Sequence, residues 1–137
     1  MATLQTTIRN RIGDLEGVRD RVSEFVRAGN LSEKIEFDIN VVLDELLSNI
    51  INYGYTDDAP HEIRITLSAS DAAVEIGIED DGKPFDPLTA PEPDLTVPLA
   101  ERPIGGLGIH FVRQLMDEVV YQRQNNHNYM FLKKNIP

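Results

Sequence analysis

Apolar residues recur along this chain with two different periods, and the switch between them separates helices from strands. From Asp14 to Ala28, the positions Leu15, Val18, Val22, Phe25 and Val26 share one face at helical spacing, and Gly29-Asn30 supplies a stop. A second helix is predicted from Ser32 to just before Gly54. Its apolar side holds Ile39, Leu43, Leu46 and Ile50, with Val41 and Val42 at the margin of its polar side. After a turn over Thr56 to His61 the period falls to two. Ile63, Ile65 and Leu67 alternate in one strand, and Val74, Ile76 and Ile78 in the next, beyond Ala69-Ser70-Asp71. Leu4 to Asn10 predicts a first strand. Ile109, Val112, Leu115 and Met116 mark a third helix, and Glu118 to Gln124 with Tyr129 to Lys134 a closing hairpin around Asn125-Asn126-His127. No internal repeat interrupts this order. The pattern predicts an α+β fold, with helices layered against one face of a mixed, mainly antiparallel sheet.

Three segments carry polar residues where the pattern makes them informative. Asp80 follows Val74, Ile76 and Ile78 on the same side of its strand, so a carboxylate arrives on the core-facing side. There it needs a donor, from the protein or from a ligand. Gly82, two residues on, permits close approach of backbone or ligand. Asp81 has the opposite parity and is expected to face solvent or cap the turn. In the second helix, at ~100° per residue, Asp38, Asn49 and Asn52 all fall within about 40° of Glu45. The stretch has no Lys or Arg after Lys34, which favours a polar stripe lining a cleft over a solvated face. A carboxylate and an amide one turn apart suit magnesium and a polarised hydroxyl. The third segment, Gly105-Gly106-Leu107-Gly108, opens the third helix, where free backbone N–H groups and the helix dipole favour phosphate. It is neither a Walker A loop nor a dinucleotide fingerprint. Singly, these three features are equally compatible with a turn, a solvated face and a hinge.

Composition narrows the field. The 137 residues, 41% of them hydrophobic, predict one domain over 1–137. A formal net charge of −10 disfavours direct nucleic-acid binding, which requires basic surface. There are no cysteines for disulfides or thiolate sites, and the three histidines have no zinc-site spacing. No run of about 18 apolar residues predicts a membrane span, and the start at Met1 lacks a basic-then-apolar leader. The expected compartment is the cytoplasm. Six of the eight prolines fall between Pro84 and Pro103, which predicts an irregular, restrained loop over about 85–104. Arg102, beside the glycines, is equally placed to reach a phosphate or to stand at a solvated rim.

In combination, Glu45-Leu46-Leu47-Ser48-Asn49 with Tyr53-Gly54-Tyr55, then Asp80-Asp81-Gly82-Lys83-Pro84-Phe85-Asp86-Pro87, then Gly105-Gly106-Leu107-Gly108-Ile109 resemble the N, G1 and G2 boxes of the GHKL ATPase superfamily. The wording is most similar to its anti-sigma-factor serine/threonine kinase branch, and the likeness covers nearly the whole chain. The resemblance implies a two-layer sandwich of Bergerat type that binds ATP and Mg2+, with the loop over about 85–104 as the ATP lid. It implies Glu45 as general base, Asn49 as magnesium ligand and Asp80 as acceptor of the adenine amino group. Gly82 would leave room beside the base, and Gly105, Gly106, Leu107 and Gly108 would close around the phosphates. Tyr53 stands where many relatives have histidine. The implied partner is an antagonist (anti-anti-sigma, STAS-type) protein phosphorylated on serine or threonine. Sequestration of a sigma factor and a homodimer stand beside it as further associations of the branch. Two other readings stay open: a nucleotide-dependent binding switch without chemistry, and a detached histidine kinase catalytic domain.

Overall fold

The computed structural model describes residues 2–84, 86 and 106–137, so nearly all of the stretch expected to form a lid lies outside the described residues. The elements follow in the order β1 (Ala2–Arg9), α1 (Leu15–Ala28), α2 (Glu33–Tyr53), β2 (Glu62–Ala69), β3 (Ala73–Asp80), α3 (Gly106–Leu115), β4 (Glu118–Gln124) and β5 (His127–Asn135). The strands form a single sheet in the order β1-β2-β3-β5-β4, and every pairing among the described residues is antiparallel. Alternation along each strand sends Ile63, Ile65, Leu67, Val74, Ile76, Ile78, Met130 and Leu132 to one side. There they share a core with Val22 and Phe25 of α1, Ile39, Leu43 and Leu47 of α2, and Ile109 and Val112 of α3. The result is the two-layer α+β arrangement that the periodicities predict. Among the described residues, no helix is long and apolar enough to cross a membrane.

Local chemistry sets the boundaries. The Ser32 hydroxyl caps α2 by accepting the Ile35 N–H at 3.2 Å, and Glu33 and Glu36 in its first turn suit the positive end of the helix. Val42 is fully buried, although the helical wheel puts it at the margin of the polar stripe. The reason is that α2 packs against α1 on one side and α3 on the other, so its buried arc is wider than that of a surface helix. β1 starts at Ala2 rather than Leu4, because its register with β2 runs out to Ala69. β5 starts at His127 rather than Tyr129, because Asn125 and Asn126, with φ of 54° and 63°, make the turn by themselves.

The segment joining α2 to β2 is held onto the turn that follows β3. Gly54 O accepts the Lys83 N–H at 2.8 Å. Tyr55 stacks on His61, ring centroids 4.2 Å apart, and His61 lies between two carboxylates: Nε2 is 2.7 Å from Asp57 and Nδ1 3.2 Å from Asp81. Carboxylates only accept, so both ring nitrogens donate only in the imidazolium form. The hydrogen bond to Asp57, then that to Asp81, raises the His61 pKa above its ordinary value, against a smaller opposing effect of burial. Asp81 thus points away from Asp80, as its parity predicts, and is an ion-pair partner as well. Because the folded pKa lies above the unfolded one, this clamp contributes its full stability below about pH 6.5. The contribution is lost as pH rises through the folded value. The urea midpoint is therefore expected to fall between pH 6 and pH 9 by more in the parent than in His61→Gln; equal falls would show that the clamp carries no proton-linked stability.

Candidate functional site

Asp80 ends the central strand β3 and is 4% exposed, on the helix-covered side. Burial pushes its pKa up; hydrogen bonds from Asn128 and the Gly82 N–H pull it back, Asp81 adds to the rise and Arg123 opposes it. Oδ1 accepts the Gly82 N–H at 2.9 Å and Asn128 Nδ2 at 3.0 Å. Asn128 lies opposite Asp80 in the register of β3 with β5 and is itself 5% exposed. Its amide nitrogen also donates to the carbonyls of Gly82 at 3.3 Å and Lys83 at 3.0 Å. Its amide oxygen accepts from the Tyr121 hydroxyl and, at 3.1 Å, from Arg123 Nη1. With donors on one side and acceptors on the other, the amide has a single satisfied orientation. Arg123 completes the network by donating to the Gly82 carbonyl at 2.6 Å.

Gly82 is required by contact. A Cβ on it would lie 2.7 Å from the Gly54 carbonyl oxygen and 3.0 Å from Asp80 Oδ1. The turn after β3 therefore sits directly on the C-terminal end of α2, the helix that carries Glu45 and Asn49.

About one turn back along α2, Asn49 Nδ2 donates to Glu45 Oε1 at 3.2 Å. The Glu45 carboxylate rests on Gly108 in the first turn of α3, where a Cβ would overlap it. Glycine at 108 is thus what lets a carboxylate of one helix meet the N-terminal backbone of another. Gly106 and Leu107 open α3, whereas Gly105 and Arg102 lie outside the described residues. The predicted polar stripe is divided in the structure. Glu45 and Asn49 pair, and Asn52 is exposed, as is Tyr53. Asp38 is wholly buried and does not line a cleft: it accepts from Lys34 Nζ at 2.7 and 2.8 Å and pairs with Lys134 Nζ at 3.2 Å. A helical wheel gives the direction of a side chain but not what packs over it.

The sequence reading missed Asn128, Tyr121 and Arg123. A usable signal existed for Asn128, since it precedes Met130 and Leu132 on the buried parity of β5, as Asp80 follows Ile78 on β3.

Among the described residues, no group of three or more His, Cys, Asp or Glu side chains is arranged to hold a metal. The described donor set therefore offers no all-protein metal cage. A lone amide oxygen beside a carboxylate fits a magnesium ion that takes its other ligands from phosphate and water.

Comparison with known proteins gives the family. Residues 8–134 match the model of a histidine kinase-like ATPase domain. The chain is 32% identical over 101 residues to the serine/threonine-protein kinase BtrW of Bordetella bronchiseptica, a match covering 74% of this chain and 71% of that one. It is 29% identical over 100 residues to an anti-sigma F factor of a Geobacillus species, covering 72% and 68% of the two chains. The solved structure of the RsbU and RsbW domains of Rv1364c from Mycobacterium tuberculosis superposes on all of this chain and 34% of its own with a TM-score of 0.70, at 16% identity, which speaks for the fold. The buried carboxylate at the end of β3, the glutamate and asparagine of α2 and the glycine start of α3 accordingly stand in a chain that belongs to the histidine kinase-like ATPase domain family.

Proposed function

We propose that this protein is an ATP-dependent serine/threonine protein kinase of the partner-switching type. The observation that carries the reading is the contact of Glu45 with Gly108, which sets a carboxylate against the helix start best suited to phosphate. Binding of nucleotide alone needs only Asp80, Asn49 and the glycines, so a carboxylate placed there supports chemistry as well. The serine/threonine-protein kinase and anti-sigma F factor among its relatives support the same choice.

In this reading Asp80 accepts the adenine amino group, and Asn128 and the Gly82 N–H hold its carboxylate in place. The backbone N–H groups of Gly106, Leu107 and Gly108, together with Gly105, take the phosphates. Asn49 supplies its amide oxygen to Mg2+, which when bound neutralises phosphate charge. Glu45 accepts the proton of a serine or threonine hydroxyl. The hydroxyl oxygen bonds to the γ-phosphorus, the bond from that phosphorus to the bridging oxygen breaks, and ADP leaves. Positioning and charge neutralisation carry this chemistry, and no covalent enzyme intermediate is needed. The substrate in this proposal is a small antagonist protein of anti-anti-sigma, STAS type. Binding of a sigma factor, assembly as a homodimer and residence in the cytoplasm belong to the same proposal.

Replacing Asp80 by Asn puts a donor where an acceptor is needed. ATP affinity is expected to drop at least tenfold, about 1.4 kcal/mol, in a folded protein. Calorimetry giving the parent affinity would remove Asp80 from the base site. Asn128→Ala strips one of the two described donors from the buried carboxylate, and its expected cost is about 1–3 kcal/mol in urea unfolding; an unchanged midpoint would mean that the network contributes nothing.

Glu45→Ala separates chemistry from binding. The variant is expected to keep MgATP bound while single-turnover transfer to the cognate antagonist slows by about two orders of magnitude. Equal transfer rates would contradict the general-base role. A parent that binds ATP yet transfers no phosphate to any antagonist would favour the non-catalytic switch, and transfer only to a histidine would favour the detached histidine kinase domain.

A further inference from the structure

The phosphate end of the site depends on where α3 lies, and α3 is a helix of only ten residues. Its last carbonyls have no partners inside the helix. One of them, Leu115 O, accepts from Lys134 Nζ at 2.8 Å. Lys134 follows Met130 and Leu132 on the helix-covered parity of β5, an unusual place for a lysine, and its side chain is only 21% exposed. Its charge is met by Asp38 of α2, 3.2 Å away and wholly buried, whose carboxylate also pairs with Lys34. A single ammonium therefore joins the C-terminal end of α3 to α2, with a sign that suits the negative end of the helix.

Asp38 lies seven residues, about 10 Å along the axis, before Glu45. The two helices thus meet at two polar points. One is Glu45 against Gly108, near the N-terminus of α3; the other is Asp38 with Lys134 and the Leu115 carbonyl, at its C-terminus. An ion pair with one wholly buried partner is a poor source of net stability, and its part here is geometric: few arrangements satisfy Asp38, Lys134 and the Leu115 carbonyl together.

We propose that Lys134, held by Asp38, is a positioning residue for the phosphate end of the site: it anchors α3 on α2 and so fixes Gly108 relative to Glu45. The inference rests on the reading that the first turn of α3 receives the nucleotide phosphates. Lys134 touches no reacting group; it acts through α3. Asp80 is held by Asn128 and the Gly82 N–H, neither of which bonds to Lys134 or Asp38, so the anchor bears first on the phosphate end.

The test uses the full chain and two ligands. Lys134→Met keeps the length of the side chain and removes the donor, and Asp38→Asn removes the counter-charge. Each folded variant is expected to bind adenosine as the parent does but MgATP about fivefold or more weakly, lowering the ratio of the two affinities. A general loss of structure would lower both together. If Lys134→Met does not fold, Lys134→Leu removes the donor with a shorter apolar side chain and is measured in its place. A parent-like ratio in the folded variants would overturn the proposal. In the ligand-free protein, amide exchange is expected to accelerate in α3 and not in β2 or β3, and unchanged exchange in α3 would overturn the anchoring role. Should the parent bind no nucleotide, the reading of the site fails, while the exchange measurement still decides whether Lys134 anchors α3.

Discussion

A carboxylate buried at the end of the central strand is the constraint around which the site is organised. Asp80 cannot sit among Ile63, Ile78 and the helices at low cost unless donors meet it, and two reach it from different parts of the chain. The Gly82 N–H comes from the turn that the strand itself begins. The Asn128 amide comes from β5, and only the register of β3 with β5 brings it opposite. Each donor is in turn fixed: Gly82 by contact with the end of α2, Asn128 by Tyr121 and Arg123. Sheet register, hairpin turn and helix end are thereby coupled through one acidic group, which in the proposed function meets the base of the nucleotide.

The helix layer supplies the other half of the site. α2 serves both ends: its C-terminal end supports the turn behind Asp80, and its middle sets Glu45, bonded to Asn49, against Gly108 of α3. Placing a negative carboxylate on a helix N-terminus is electrostatically favourable without any ligand. In the proposed function, phosphates drawn to that helix start would compete with it. In that reading Glu45 is thus a group that the nucleotide would displace or reorient, which suits a general base facing the transferred phosphoryl group.

Much of this was legible in the sequence, and the misses share a cause. Period-two runs gave β2 and β3, and parity alone placed Asp80 on the covered side and Asp81 on the other. Helical spacing brought Glu45 and Asn49 together, as their hydrogen bond shows. Asp38 lay on the same stripe by angle, yet Lys134 and the end of α3 pack over it, and no local pattern reveals a partner from the far end of the chain. Asn128 was missed for the same reason: its meaning comes from the strand across from it. The hairpin was misplaced by two residues because Asn125 and Asn126 both accept positive φ, which lets a two-residue turn do the work expected of three.

The most direct test of the account is a crystal structure of the protein with magnesium and a non-hydrolysable ATP analogue. The account predicts the adenine amino nitrogen within hydrogen-bonding distance of the Asp80 carboxylate, phosphate oxygens on the backbone N–H groups that open α3, and the metal on the Asn49 amide oxygen. A nucleotide bound on the uncovered face of the sheet, or phosphates pointing away from α3, would contradict it.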